Sequence, residues 1–357
     1  MSVAIVTGSA GLVGAEAAVL FAEHGLDVVG IDNDMRSRFF GAPATTDPIR
    51  RELERTCPGY KHFPYDIRDI PELTRVFSHY GRSVSVVIHA AAQPSHDWAA
   101  SAPHIDFEIN ANGTLNLLEL TRQHCPRAVF IHVSTSKVYG DRPNQLPLVE
   151  LASRWELEAP HPFAQCGIDE SMSIDASLHS LLGVSKASGD LLAQEYGRYF
   201  GLQTAIFRPG CITGPRHRGA ELHGFLAYLV RCAVEGKRYT VIGHKGKQVR
   251  DNIHARDLAR AFFEVTKSPR VAEVYNMGGG RTSACSVLEA LEILEHLGHR
   301  AEWNYSDKAR TGDHIWWISD HGKFQGHYPE WEPMHSAEAI LTEMVESSLL
   351  APLQPDR

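Results

Sequence analysis

The chain opens on an unbroken apolar run, Val3-Ala4-Ile5-Val6. Such a run predicts a strand buried on both faces. A helical segment from about Leu12 to His24 follows, then a second apolar strand, Val28–Ile31. Val84–His89 and Ala128–Val133 repeat the strand pattern. Short apolar runs alternating with helical segments predict a parallel sheet with helices on both faces. Between Met35 and Pro58 the sequence is charged and irregular, with a helical stretch expected over Pro48–Thr56. Long helices are expected after Asn110, over Thr114–Leu120, and over Ser185–Tyr199.

The last third has shorter elements and more Trp, His and Pro. Helices are expected over His223–Gly236, Ala255–Thr266 and Ser286–Leu297, and strands over Tyr239–Ile242 and Glu273–Met277. The predicted class is therefore α/β, a Rossmann-type doubly wound parallel sheet with a smaller C-terminal α/β substrate-binding domain. Residues 1–178 with part of 179–210 are expected to form the first domain. Residues 211–350 are expected to form the second, interleaved with it.

Composition narrows the function classes. A formal charge of −8 without a basic block argues against a dedicated nucleic-acid binder. No apolar stretch approaches the roughly 20 residues needed to span a bilayer, and no signal-like segment precedes Val3, so a cytoplasmic protein without a membrane partner is expected. Six cysteines, Cys57, Cys125, Cys166, Cys211, Cys232 and Cys285, lack any CxxC spacing and read as reduced thiols. The 20 histidines form no HExxH or paired-ligand spacing, so no metal is expected.

Gly8-Ser9-Ala10-Gly11-Leu12-Val13-Gly14 joins the first strand to the first helix. Gly8 permits a tight turn, Gly11 lets the backbone approach a pyrophosphate, and Gly14 lets helix and strand pack closely. The helix N-terminus presents free N–H groups to phosphate. Asp32 ends the second strand, where a carboxylate accepts hydrogen bonds from ribose hydroxyls and repels a 2′-phosphate. The expected cofactor is NAD, with Asn33, Arg36, Asp66 and Ile67 beside it.

Several further segments carry a family resemblance. They are His89-Ala90-Ala91-Ala92, Asn110 with Gly113-Thr114, Ser134-Thr135-Ser136-Lys137-Val138-Tyr139-Gly140, and Gly246-Lys247-Gln248-Val249-Arg250-Asp251. With Arg310-Thr311-Gly312-Asp313-His314, the chain resembles the NAD-dependent nucleotide-sugar epimerases of the extended short-chain dehydrogenase/reductases, most of all the CDP-paratose (CDP-tyvelose) 2-epimerase group. The resemblance implies hydride transfer from a sugar carbinol to NAD, turnover of the keto-sugar, and hydride return to the other face. It implies cofactor contacts at Ala90, Ala91, Ala92, Gln93, Asn110, Val133, Ser134, Lys186, Arg208 and Pro209. It implies substrate contacts at Ser95, His96, Thr135, Ser136, Lys137, His223, Gln248, Arg250, Arg310 and Asp313. The implied substrate is a nucleoside-diphosphate sugar, with a CDP-hexose favoured, and the implied assembly is a homodimer. Dehydratases of this family place Asp-Glu after the catalytic Thr. Here Ser136-Lys137 follow Thr135, which counts against a dehydratase, so the implied reaction is epimerisation of a CDP-deoxyhexose at C2, with a 4-epimerase or dehydratase of another nucleotide sugar as the alternative.

One expected residue is absent. The family's catalytic Tyr stands four residues before its Lys, and here Leu182 stands four before Lys186. None of the eleven tyrosines has Lys at that spacing. Leucine cannot move a proton, so three explanations remain open. Another group serves as base, with Lys186, Cys166, Glu170, His179 and His96 as candidates. Thr135 and water carry the proton more slowly. Or the protein binds NAD and a nucleotide sugar without turnover.

Overall fold

The computed structural model describes residues 2–217, 224–308 and 312–350. His223 and Arg310, both expected at the substrate, lie outside the described residues.

The chain runs β1 (Val3–Thr7), α1 (Leu12–Glu23), β2 (Asp27–Ile31), α2 (Asp47–Thr56), β3 (Tyr60–Phe63), β4 (Val84–His89) and α3 (His96–Ser101). It continues through α4 (Gly113–His124), β5 (Val129–Val133), α5 (Leu181–Phe200), β6 (Gln203–Pro209) and β7 (Cys211–Thr213). Then come α6 (Phe225–Glu235), β8 (Tyr239–Ile242), β9 (Val249–His254), α7 (Ala255–Lys267) and β10 (Glu273–Met277).

Seven strands form one sheet in the order β10-β6-β5-β4-β1-β2-β3, every pair parallel. β1 and β5 are buried along their whole length, as parallel strands covered on both faces must be. One apolar cluster packs α1 and α7 on one face, with Phe21 and Phe263 meeting edge to face at 5.5 Å. The other face packs Leu117, Leu118, Ala193 and Tyr196 of α4 and α5. The sheet reverses winding direction between β1 and β4, so a crevice opens beyond their carboxyl ends, where such sheets bind ligands.

The C-terminal part contributes more than a separate layer. β10 completes the main sheet, and β9 anchors a four-stranded sheet with β7, Ala284–Ser286 and Trp316–Trp317. β8 pairs in parallel with Trp303–Ser306.

α5 begins at Leu181, four residues before the expected helix start, because Ser180 caps it and accepts Gly183 N–H at 3.1 Å. Its inner face is fixed by a buried ion pair. Arg208 at the end of β6 donates to both carboxylate oxygens of Asp190, at 2.9 and 2.8 Å. The two side chains keep only 7% and 1% of their exposure. Ser134 Oγ also donates to Asp190, at 2.6 Å. Asp190→Ala strands the Arg208 charge without a partner and is expected to cost about 3–5 kcal/mol of stability in urea denaturation. Asp190→Leu with Arg208→Met is expected to recover most of that loss.

Candidate active site

A cavity of about 460 Å³ opens at the crevice between β1 and β4. Its floor is the loop after β1. Gly8 adopts φ +68, and a Cβ on it would stand 2.7 Å from Ala91 N. A Cβ on Gly14 would stand 2.1 Å from Gly8 O, so only glycine lets α1 meet the turn. Gly11 caps α1 without a side-chain hydrogen bond, and the first turn carries no acidic residue. Its N–H groups are therefore left for an anion.

Ala10, Gly11, Leu12 and Val13 line this end, with Asp32, Asn33, Arg36, Asp66 and Ile67. Asp32 accepts Ala10 N–H at 3.1 Å and Asp34 N–H at 2.8 Å. Burial pushes its pKa up, against the pull of those backbone bonds. Burial also works to raise Asp66, but Arg68, bonded at 2.9 and 2.8 Å, outweighs it and holds this carboxyl below the usual range. Asn33 Nδ2 donates to Asp66 at 3.0 Å. Burial lowers the Arg36 pKa to about 10.

The middle of the cavity is lined by Ala90, Ala91, Ala92, Gln93, Val133, Ser134, Thr135, Ser136, Lys137 and Pro209. Leu182 and Lys186 enter from α5, one helical turn apart on one face. Leu182 is 5% exposed and turns an apolar side chain into the cavity. Lys186 Nζ donates to Val133 O at 2.7 Å. Burial lowers its pKa to about 8, with Asp190 and Asp106 opposing. Thr135 Oγ1 accepts Lys137 N–H at 3.2 Å, which leaves its own hydrogen for a ligand oxygen.

At the far end stand His96, Gln248, Arg250 and Asp313. Arg250 is paired with Asp313 at 3.4 Å. Gln248 Nε2 donates to Ile242 O at 2.9 Å, while its Oε1 is buried without a partner. That acceptor suits a donor on a bound molecule.

Several sequence expectations need correction. Cys166 is exposed and stands outside the cavity lining. Glu170 also stands off the cavity, its Oε1 accepting Asn276 N–H. Neither is placed to act as the base. Arg208 is committed to Asp190 and to Tyr139 OH at 3.0 Å. Asn110 bonds Gln93 N and O, Asp106 and Ser185, so it braces the loop after β4 against α5 instead of lining the cavity. Ser95 caps α3 through Trp98 N–H at 3.2 Å. His179 is likewise turned away, bonding Ile174 O at 2.8 Å.

The cavity adds residues that the sequence did not single out for it. Cys211, Arg216 and His217 line it from the segment after β6, and Phe225, Tyr239 and Val287 close it from the C-terminal part. Arg216 is already paired with Glu16 and Glu52. The apolar residues carry no motif, and their signal is only the amphipathic period of their elements.

His254, His335 and Glu343 place donor atoms within 4.8 Å of one another away from this cavity. His254 Nδ1 accepts Arg256 N–H at 3.1 Å, so the ring hydrogen sits on Nε2, 3.1 Å from Glu343. His335 Nδ1 meets Asp257 at 2.7 Å.

Residues 4–278 match the family described as the NAD dependent epimerase/dehydratase family. A CDP-paratose 2-epimerase of Salmonella typhi is 30% identical over 352 residues, covering 96% of this chain and 98% of that protein. A UDP-glucuronate 4-epimerase of Thermodesulfobacterium geofontis is 28% identical, covering 96% and 95%. The solved UDP-glucose 4-epimerase of Thermus thermophilus, in complex with NAD, aligns with a TM-score of 0.76 and 25% identity over 98% of this chain and all of that one. The chain belongs to the NAD dependent epimerase/dehydratase family, and its cofactor is NAD. The glycine cradle, the uncapped helix end and the Asp32 carboxylate all suit that cofactor.

Removing the Asp32 carboxylate tests the fit. A charged hydrogen bond contributes about 1.5–3 kcal/mol. Asp32→Ala is therefore expected to weaken NAD binding by roughly 10- to 150-fold in isothermal titration calorimetry.

Proposed function

We infer that this protein inverts a carbinol centre of a nucleoside-diphosphate sugar, using NAD as the transient hydride acceptor and donor. The observation that carries this reading is one continuous cavity. It joins the cofactor cradle at Gly8–Gly14 to Thr135 and Lys186, and these to Gln248 and Arg250. The favoured substrate is a CDP-deoxyhexose, inverted at C2. Similarity to the Salmonella typhi protein over nearly the whole of both chains supports that choice.

The proposed roles follow from chemistry at stated atoms. Lys186 binds the nicotinamide ribose and holds positive charge beside it. Thr135 Oγ1 donates to the reacting sugar oxygen as negative charge develops there. Arg250 and Gln248 hold the diphosphate and its nucleoside, a guanidinium being suited to phosphate. The proposed domain division, near residue 210, puts the cofactor groups before it and the nucleotide groups after it.

A second reading rests on Leu182. An apolar side chain at the tyrosine position fits a protein that binds both ligands without turnover. Proton NMR of CDP-paratose with the NAD-loaded protein separates the two. Inversion at C2 is expected from the unaltered chain, and general acid–base catalysis contributes about 10²–10⁴-fold, so Leu182→Tyr is expected to accelerate it. Silence from the unaltered chain, with turnover only in Leu182→Tyr, establishes the binding protein instead.

The proposed assembly is a homodimer of a cytoplasmic protein. Its six cysteines are unpaired, and no helix among the described residues is long and apolar enough to cross a membrane. α5 exposes Leu181, Val184, Leu191 and Tyr199, and neighbouring α4 exposes Leu115. These side chains form an apolar face that a second copy would cover. Leu191→Glu is expected to shift the sedimentation coefficient from dimer to monomer.

A further inference from the structure

The cavity wall holds one more titratable group, on a residue whose backbone abuts the turn that carries Leu182. Lys137 follows Thr135 by two residues and lies on the cavity wall. Its backbone joins the two halves of the site. Its N–H donates to Thr135 Oγ1, and a Cβ on Gly183 would stand 2.9 Å from its carbonyl oxygen. The Lys137 main chain therefore sits between the Thr135 hydroxyl and the first turn of α5, the turn that carries Leu182, and its side chain lines the same cavity. Its Nζ donates to Gly312 O at 2.9 Å. Gly312 also touches His96, since a Cβ there would stand 2.6 Å from the imidazole.

The geometry points to Lys137 as the group that takes the hydroxyl proton from the sugar and gives it back, in place of the missing tyrosine. This deepens the epimerase reading and rests on it. In the forward step the uncharged Nζ forms a new N–H bond as the sugar O–H bond breaks. Bound NAD would supply the two-electron acceptor for the hydride that leaves as the carbinol C–H bond breaks, and the sugar is thereby oxidised to the ketone. On return, hydride adds to the other face of the carbonyl carbon, and the ammonium of Lys137 protonates the oxygen. Protons and electrons balance over the cycle.

The surroundings favour Lys137 over its neighbours. Enclosure by protein removes water from its side chain, and Arg250 of β9 adds repulsion. Asp313 and Cys211 oppose these effects, and the result is a pKa of about 8. Both protonation states are thus populated near neutral pH, as a general base requires. His96 of α3 and His314 face it as uncharged rings. Burial lowers His96 to about 4 and His314 well below its ordinary value. The His96 Nδ1 is also engaged by Ser180 Oγ at 2.8 Å. Burial raises the Cys211 thiol to about 11, so it holds no thiolate near neutral pH. Lys186 is tied to Val133 O and faces the carboxylates of Asp190 and Asp106.

Two measurements on the NAD-loaded full chain test this. In the first, trace acetic anhydride labels the lysines across a pH series, and mass spectrometry reads acetylation of Lys137. A midpoint near 8 is expected, and one at the ordinary lysine value, about 10.4, overturns the proposal. In the second, rapid mixing with CDP-paratose follows reduced nicotinamide by its absorbance. Lys137→Met is expected to slow its appearance by about 10²–10⁴-fold and to flatten a pH profile that otherwise rises through about 8. NAD affinity should stay unchanged in that variant. Lys137→Arg keeps the charge without a usable base and should be equally slow. Unchanged rates and profiles in these variants overturn the role of Lys137 and leave the epimerase standing. No reduced nicotinamide from the unaltered chain, with CDP-paratose or with other nucleoside-diphosphate hexoses, overturns the epimerase itself and this role with it.

Discussion

The site depends on the pair Asp190–Arg208. Asp190 stands four residues after Lys186 and eight after Leu182, so all three share one face of α5. Arg208 ends β6, and its guanidinium grips both oxygens of Asp190. A helix free to turn by one residue would swing that face by about 100° and carry Lys186 out of the cavity. The fork geometry of the pair forbids that turn. Such a buried pair gives little net stability over an apolar isostere, because desolvation offsets its attraction. Its consequence here is register. It fixes the height and rotation of α5 against the sheet, and Ser134 joins it from the end of β5.

The cavity concentrates positive charge in a low-dielectric space, Lys186 from α5 and Lys137 and Arg36 from other segments. Lys137 and Lys186 both fall to about 8 and Arg36 to about 10, each chiefly through loss of water. A depressed basic pKa means that the cavity by itself disfavours its own cations. The cofactor's diphosphate brings negative charge into that space, where charge-assisted bonds are the strong ones, while Lys137 keeps its lowered value beside Arg250. The α1 N-terminus needs no such adjustment, since its donors are backbone dipoles that cannot titrate.

Much of this architecture was legible in the sequence, and the reasons are local. β1, β2 and β4 read as strands because parallel strands are apolar on both faces. The Gly8–Gly14 loop read as a cradle because backbone geometry admits only glycine there. Expected and observed element ends mostly agree within two residues, as at Glu273–Met277. The failures share a physical cause. Glu170, Cys166 and Arg208 are polar residues whose positions are set by partners far along the chain. The loop bearing Glu170 is pinned by a bridge between Ile168 and Ser319. Arg208 at a strand end looks the same whether it meets a phosphate or a carboxylate. Only Asp190, at helical spacing from Lys186, carried a hint of the carboxylate.

Leu182 separates two tasks that one dyad ordinarily combines. A lysine beside a tyrosine both holds the cofactor and lowers the phenol's pKa. Here there is no phenol for Lys186 to tune, yet Lys186 still lies in the cavity with its Nζ on Val133 O. Its presence therefore speaks for cofactor binding and says nothing about the proton. On the proposed epimerase reading, the proton's route lies outside the first turn of α5, because that turn is apolar at Leu182. The segment after β5 carries Thr135 and Lys137 two residues apart on the cavity wall, with the Lys137 backbone N–H donating to the Thr135 hydroxyl oxygen. On the proposed reading the helix would hold the nicotinamide end of the cavity, and this segment would carry the exchangeable hydrogens.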